Sequence, residues 1–155
     1  MPQHATQTAP WARYIGLPYR WGGDPDRHGA TDCLRLTIAV LGLYNAPRPA
    51  LIKREWYMAA GRCRWRPLLE ELTAISRPVP GAMPLDVALL AGGEPIALGV
   101  CVAGGLLTTC QGQGVHWRPL AACQIRRWFQ WPSLDYDETR SCRGTACGKN
   151  IACLV

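Results

Sequence analysis

The densest apolar run in the chain is Leu34, Leu36, Ile38, Ala39, Val40, Leu41 and Leu43, with Arg35 and Thr37 as its polar interruptions. Apolar side chains on nearly every side predict a helix from about Asp32 to Tyr44 at the centre of a domain. Thr31 or Asp32 can cap its start, and Asn45-Ala46-Pro47-Arg48-Pro49 ends it. Upstream, residues 1–9 are polar, without period, and read as extended. Pro10 can open a short helix over Trp11–Ile15. Asp24-Pro25-Asp26-Arg27-His28-Gly29 is a turn by composition. Downstream, residues 50–62 have helical spacing at Ile52, Trp56, Met58 and Ala59, stopped by Gly61. Arg66 to Arg77 repeats the pattern, with Leu68, Leu69, Leu72 and Ile75 on one face and Glu70 and Glu71 on the other.

After Pro78, Pro80, Gly81 and Pro84 the period shortens toward two. Leu85–Leu90, Ile96–Val102, Leu106–Cys110 and Val115–Arg118 read as strands. The turns between them are Gly92-Gly93-Glu94-Pro95, Gly104-Gly105 and Gly112–Gly114. Residues 121–131, with Ala122, Ile125, Trp128 and Phe129, form either a last strand or a short helix. Helices first and an antiparallel meander after them predict an α+β domain. Its expected bounds are 10–131, between an extended stretch at 1–9 and a separate arm at 132–155.

Composition narrows the class. The chain has 155 residues, one domain by length, and 48% of them are hydrophobic, so it is globular rather than disordered. The net charge is +6, mostly arginine, and Arg recurs beside Trp at Arg20-Trp21, Arg64-Trp65-Arg66, Trp117-Arg118 and Arg126-Arg127-Trp128. Phosphate contacts with stacking would use that pairing, but no nucleic-acid-binding motif accompanies it, and Arg packed over indoles accounts for it. Attraction to an acidic polymer or to acidic partner subunits is a further reading. The N-terminal residues show no signal-peptide pattern, and no run reaches the length of a membrane span. The expectation is a protein that stays in the cytoplasm where it is made or leaves inside a larger particle. In that setting eight cysteines point to free thiols or metal ligands rather than a disulfide framework.

Chemistry concentrates at the start of the apolar helix. Cys33 sits where helix N–H groups lack internal partners and the macrodipole favours thiolate. Gly16-Leu17-Pro18-Tyr19-Arg20-Trp21-Gly22-Gly23, a short loop, then Thr31-Asp32-Cys33 and an apolar helix resembles the front half of NlpC-type cysteine peptidases. These are papain-like hydrolases of peptidoglycan stem peptides, and many phages carry one at the tail tip. The resemblance spans roughly residues 10–120 and is specific over Tyr14–Tyr44. It implies a papain-like fold with N-terminal helices packed on an antiparallel meander. It also implies Cys33 as nucleophile and Tyr19 as a supporting phenol.

In the resembled family a P-G-D-V strand is followed by H-x-G-V, and that histidine is the general base. Here Pro84-Leu85-Asp86-Val87 carries Leu for Gly, and Ala97-Leu98-Gly99-Val100 carries Ala97 in the histidine slot. Phage relatives often place a histidine after the next turn, where this chain has Leu107-Thr108-Thr109. Loss of the base removes proton transfer, worth roughly a hundred- to ten-thousand-fold in rate. His116 on the last meander strand is the remaining candidate base, reaching Cys33 only in a different register; His28 lies in the loop before the cysteine. Cys33 therefore has two readings, a nucleophile or a small thiol packed at the start of a buried helix, and we expect the second.

Beyond the peptidase-like region, Cys142, Cys147 and Cys153 are separated by four and five residues. That spacing is looser than a zinc C-x-x-C. The three are candidate ligands for an iron–sulfur cluster or zinc, with a fourth thiol from Cys123, Cys110 or a partner. The alternative is an extended arm of free thiols whose apolar end, Ile-Ala-Cys-Leu-Val, docks on a neighbouring subunit. No other cofactor is expected. Together these features predict a virion component of a phage tail tip or baseplate, built on an NlpC-like domain without its base. The alternative is an active endopeptidase. Expected partners are other tail-tip or baseplate subunits and peptidoglycan, with no nucleic acid and no membrane span.

Overall fold

The computed structural model describes residues 8–44, 76–91 and 97–130. A 3-10 turn over Pro10–Tyr14 is followed by the short helix α1, Pro25–His28, and by α2, Cys33–Gly42. Six strands follow: β1 Arg77–Val79, β2 Val87–Leu90, β3 Leu98–Val102, β4 Gly105–Cys110, β5 Gly114–Pro119 and β6 Ile125–Gln130. All pairings are antiparallel and the spatial order is β1-β6-β2-β3-β4-β5. The α+β expectation and the meander from β2 to β5 hold. The helices expected over 50–62 and most of 66–77 lie outside the described residues, as do the termini.

Each element has a local cause. Pro10 opens the first turn because its missing N–H is not needed there. Asp24 caps α1 by accepting from the Asp26 and Arg27 N–H groups, and Gly29 ends it at φ +60. The expected turn at 24–29 is thus one turn of helix. Six of the ten residues of α2 are buried. Leu34, Leu36, Ile38, Val40 and Leu41 pack with Val87, Leu98, Val100, Val102, Leu107, Val115 and Phe129 from one sheet face, and with Tyr14. Burial on that scale, not propensity, holds a ten-residue helix together.

The N-terminal segment is stitched to both layers. The Gly16 N–H donates to the Val115 carbonyl at 2.8 Å and the Val115 N–H to that of Leu17 at 2.8 Å, which extends the sheet beyond the first half of β5. Arg13 and the Tyr14 hydroxyl both bond Asp26, at 3.0 and 3.2 Å, and tie the first turn to α1.

Three expectations shift. Arg77 opens β1 and pairs with Gln130 rather than closing a helix; Pro78 is tolerated because β1 is an edge strand. Residues 121–131 contain both expected alternatives, a 3-10 turn at Leu120–Ala122 and then β6, which crosses back to pair with β2. The β3–β4 hairpin turns at Ala103-Gly104, with φ +48 and +70, and Gly105 belongs to β4. Gly105 is a glycine for a different reason: a Cβ there would run into the Trp117 indole.

Two positive φ angles at the tip define the turn type whose favoured sequence is Asn-Gly. Ala103 is exposed and loses nothing on replacement. Ala103→Asn should therefore stabilise the fold by about 0.5–1 kcal/mol, read as a higher denaturant midpoint. Gly105→Ala should destabilise it by about 1–3 kcal/mol.

Candidate functional site

The site is built on the start of α2. Asp32 is almost fully buried, and its two carboxylate oxygens do different jobs. Oδ1 accepts from the Arg35 N–H at 2.9 Å and caps the helix. Oδ2 accepts from the Gly22 N–H at 2.6 Å and pins the Gly-rich loop to the helix start. That loop is shaped to approach closely. Gly22 has φ +70, and a Cβ on Gly23 would lie 2.5 Å from the Ala30 carbonyl oxygen. Tyr19 and Thr31 form a parallel bridge through Arg20 N–H to Thr31 O (2.9 Å) and Thr31 N–H to Pro18 O (3.0 Å).

These contacts bring Tyr19 to Cys33. Burial pushes the Tyr19 phenol up to about 12, and the neighbouring Cys33 and Asp32 add to the shift. The Cys33 thiol is likewise pushed up to about 12, first by burial and second by the Asp32 charge. The backbone N–H groups of Leu98, Leu34 and Cys33 itself pull the other way and lose. The helix start was expected to favour thiolate. It does supply N–H groups to the sulfur, but desolvation and the capping carboxylate outweigh them. Asp32 is itself raised, by burial, against the Arg35 and Gly22 N–H groups that hold its charge.

No imidazole is among the leading influences on Cys33. His116 lies on β5, its Nδ1 2.9 Å from the Gly114 carbonyl oxygen. It pairs with Thr108, which pairs with Gly99, so these three share a sheet face. Its neighbour Val115 packs on the opposite face, into the cluster with α2. His28 Nδ1 accepts from the Asp24 N–H at 2.9 Å. Ala97 directly precedes Leu98, whose backbone N–H favours the Cys33 thiolate. Among the described residues no group of histidine, cysteine or acidic side chains is arranged to hold a metal. Cys142, Cys147 and Cys153 lie outside them. Cys33, Cys101, Cys110 and Cys123 are free thiols.

Two features escaped the sequence. Leu85, at the start of the P-L-D-V strand, has φ +70, a backbone state that suits glycine. Only the glycine of the resembled motif signals it. Thr109 is 2% exposed, and its hydroxyl has no hydrogen-bond partner. Nothing in a run such as Leu-Leu-Thr-Thr-Cys marks which hydroxyl is orphaned; its neighbour Thr108 donates to the Leu98 carbonyl at 2.7 Å.

The chain matches no known family model and no curated protein.

The raised thiol and phenol carry a sign. Both stay protonated in the fold after the unfolded chain has begun to ionise, so their contribution is whole below about pH 9 and is lost as pH rises toward 12. Stability should fall across that window, and Cys33→Ala should flatten the fall, checked by thermal midpoints from pH 8 to about 11. Asp32→Asn keeps a capping oxygen and removes the charge. It should lower the pH at which Cys33 alkylates, followed peptide by peptide by mass spectrometry. Asp32→Ala loses the cap and orphans the Gly22 N–H, and should cost about 2–4 kcal/mol.

Proposed function

We infer that this chain is a structural component of a phage tail tip or baseplate, built on an NlpC-like, papain-like domain that has lost its catalytic base. The observation that carries this reading is the state of Cys33. A nucleophilic thiol needs a proton acceptor or a depressed pKa. Here burial and the Asp32 carboxylate push the thiol up to about 12.

Other features support the likeness to the family. Cys33 opens a buried helix behind a Gly-rich loop, and Tyr19 stands beside it, as the resemblance implies. Leu85 adopts a glycine-like backbone where the family carries glycine. Ala97 stands in the slot where the family carries histidine, one residue before Leu98, whose backbone N–H favours the Cys33 thiolate. Virion location and partner subunits follow from the family reading, as does peptidoglycan as the ancestral substrate. No described helix is long and apolar enough to cross a membrane.

The runner-up is an active endopeptidase in which Cys33 attacks and His116 or His28 serves as base. Purified sacculi separate the two. Wild type and Cys33→Ala should release equal, background amounts of muropeptides; release by the wild type alone would establish the hydrolase. Ala97→His should lower the pH at which Cys33 alkylates, because an imidazole there starts beside the Leu98 peptide unit. An unchanged alkylation profile would count against the alignment of Ala97 with the histidine slot.

A further inference from the structure

His116 lies on the sheet face away from α2, and a different thiol shares that face. β4 and β5 pair Thr108 with His116 and Cys110 with Gly114. Paired residues point to one side, as does every second residue along a strand, so Thr108, Cys110 and His116 lie together. Cys110 and His116 are thus diagonal neighbours, a separation of about 7 Å that a ring can bridge. The ring leans toward the cysteine. Val115 turns its N–H and C=O outward, to Leu17 and Gly16, so Gly114 turns its carbonyl inward, toward β4 and Cys110. His116 Nδ1 lies 2.9 Å from that same oxygen. A carbonyl accepts and cannot donate, so Nδ1 carries the proton of the neutral ring and Nε2 keeps its lone pair. That is the tautomer a general base needs.

The thiol is half-buried at the end of β4, and its Sγ donates to Gln113 Oε1 at 3.4 Å across the turn. An amide can turn over, so once the sulfur ionises Gln113 can donate an N–H to it from the same place. Besides His116, the one charged side chain on β3, β4 and β5 is Arg118, two residues from His116 on the same face. Those strands carry no Asp or Glu that would hold a proton on the sulfur, and the Gly16–Pro18 segment bonded to the β5 edge has no ionisable side chain. The other described thiols lack this setting. Cys33 is pushed up to about 12 by burial and Asp32. Cys101 is 4% exposed, and burial and then Asp86 push it up. Cys123 donates to the Pro119 carbonyl at 3.5 Å, which cannot take its proton.

We propose that Cys110 is a modification site, a thiol deprotonated by His116 that takes small-molecule disulfides into a mixed disulfide. His116 Nε2 accepts the Cys110 proton. The thiolate attacks one sulfur of the incoming disulfide, the S–S bond breaks, and the other half leaves as a thiolate that recovers the proton from the imidazolium. Cys110 is oxidised to the mixed disulfide and the leaving half is reduced to a thiol, so the electrons balance. The site is on the opposite sheet face from Cys33 and stands whether that cysteine is a nucleophile or a packed thiol.

The test treats the full-length protein with glutathione disulfide and follows each cysteine by non-reducing peptide mass spectrometry. Cys110 should react about tenfold or more faster than Cys123, and faster still than Cys33 and Cys101. Its rate should rise with the titration of the His116 ring, followed by NMR in the same sample. His116→Gln should slow Cys110 about tenfold at neutral pH. It should also remove that step from the profile while Cys123 reacts as before. Arg118→Gln should leave the step in place. The wild-type profile is a test without any variant: a Cys110 rate indifferent to the His116 titration would overturn the proposal. So would a Cys110 no faster than Cys123, or an unchanged profile in His116→Gln.

Discussion

The carboxylate of Asp32 is the contact on which the rest of this molecule depends. One oxygen starts the central helix through Arg35; the other holds the Gly22 loop against it. The second bond joins the bridge at Thr31 and the Gly16 and Leu17 bonds with Val115 in placing the loop that carries Tyr19. Burying a carboxylate is costly unless its oxygens are satisfied, and here two backbone donors meet that need. The same burial fixes a negative charge beside Cys33. The clamp that positions the sulfur therefore also holds its proton on.

This coupling decides the chemistry. Three N–H groups near the sulfur favour thiolate, as a helix start generally does. Burial and the Asp32 charge favour thiol, and they win. A working nucleophile in this place would need a cation or base to reverse the balance. The two described histidines each have Nδ1 on a backbone group, His28 at Asp24 and His116 at Gly114. A thiol at a helix start and an environment that raises its pKa coexist, and the scaffold reading rests on that combination.

The sheet contributes through its edges as much as its core. One face packs on α2, where apolar side chains from five strands meet the helix. The edge at β1 is short and contains Pro78, and the β5 edge is half covered by Gly16 and Leu17. Such devices keep a sheet from pairing at random.

Much of this was legible in the residues themselves. An apolar run interrupted only at Arg35 and Thr37 read as a central helix, and Thr31 or Asp32 before it read as a cap. Strand periods and glycines marked the meander, and Thr31-Asp32-Cys33 after a Gly-rich loop marked the site. The misread places share a cause. Gly105 looked like half of a turn, but its missing Cβ answers to Trp117, twelve residues away. Arg77 looked like the end of a helix, but pairing with Gln130, 53 residues on, makes it a strand. Residues 121–131 could be strand or helix until β2 offered β6 a partner. Whether Cys33 is reactive was not readable either, because helix position argues one way and burial the other. Local patterns determine elements and caps, since those forces act within a few residues. Register, edge exposure and thiol ionisation depend on groups far apart in the chain, and only the folded arrangement brings them together.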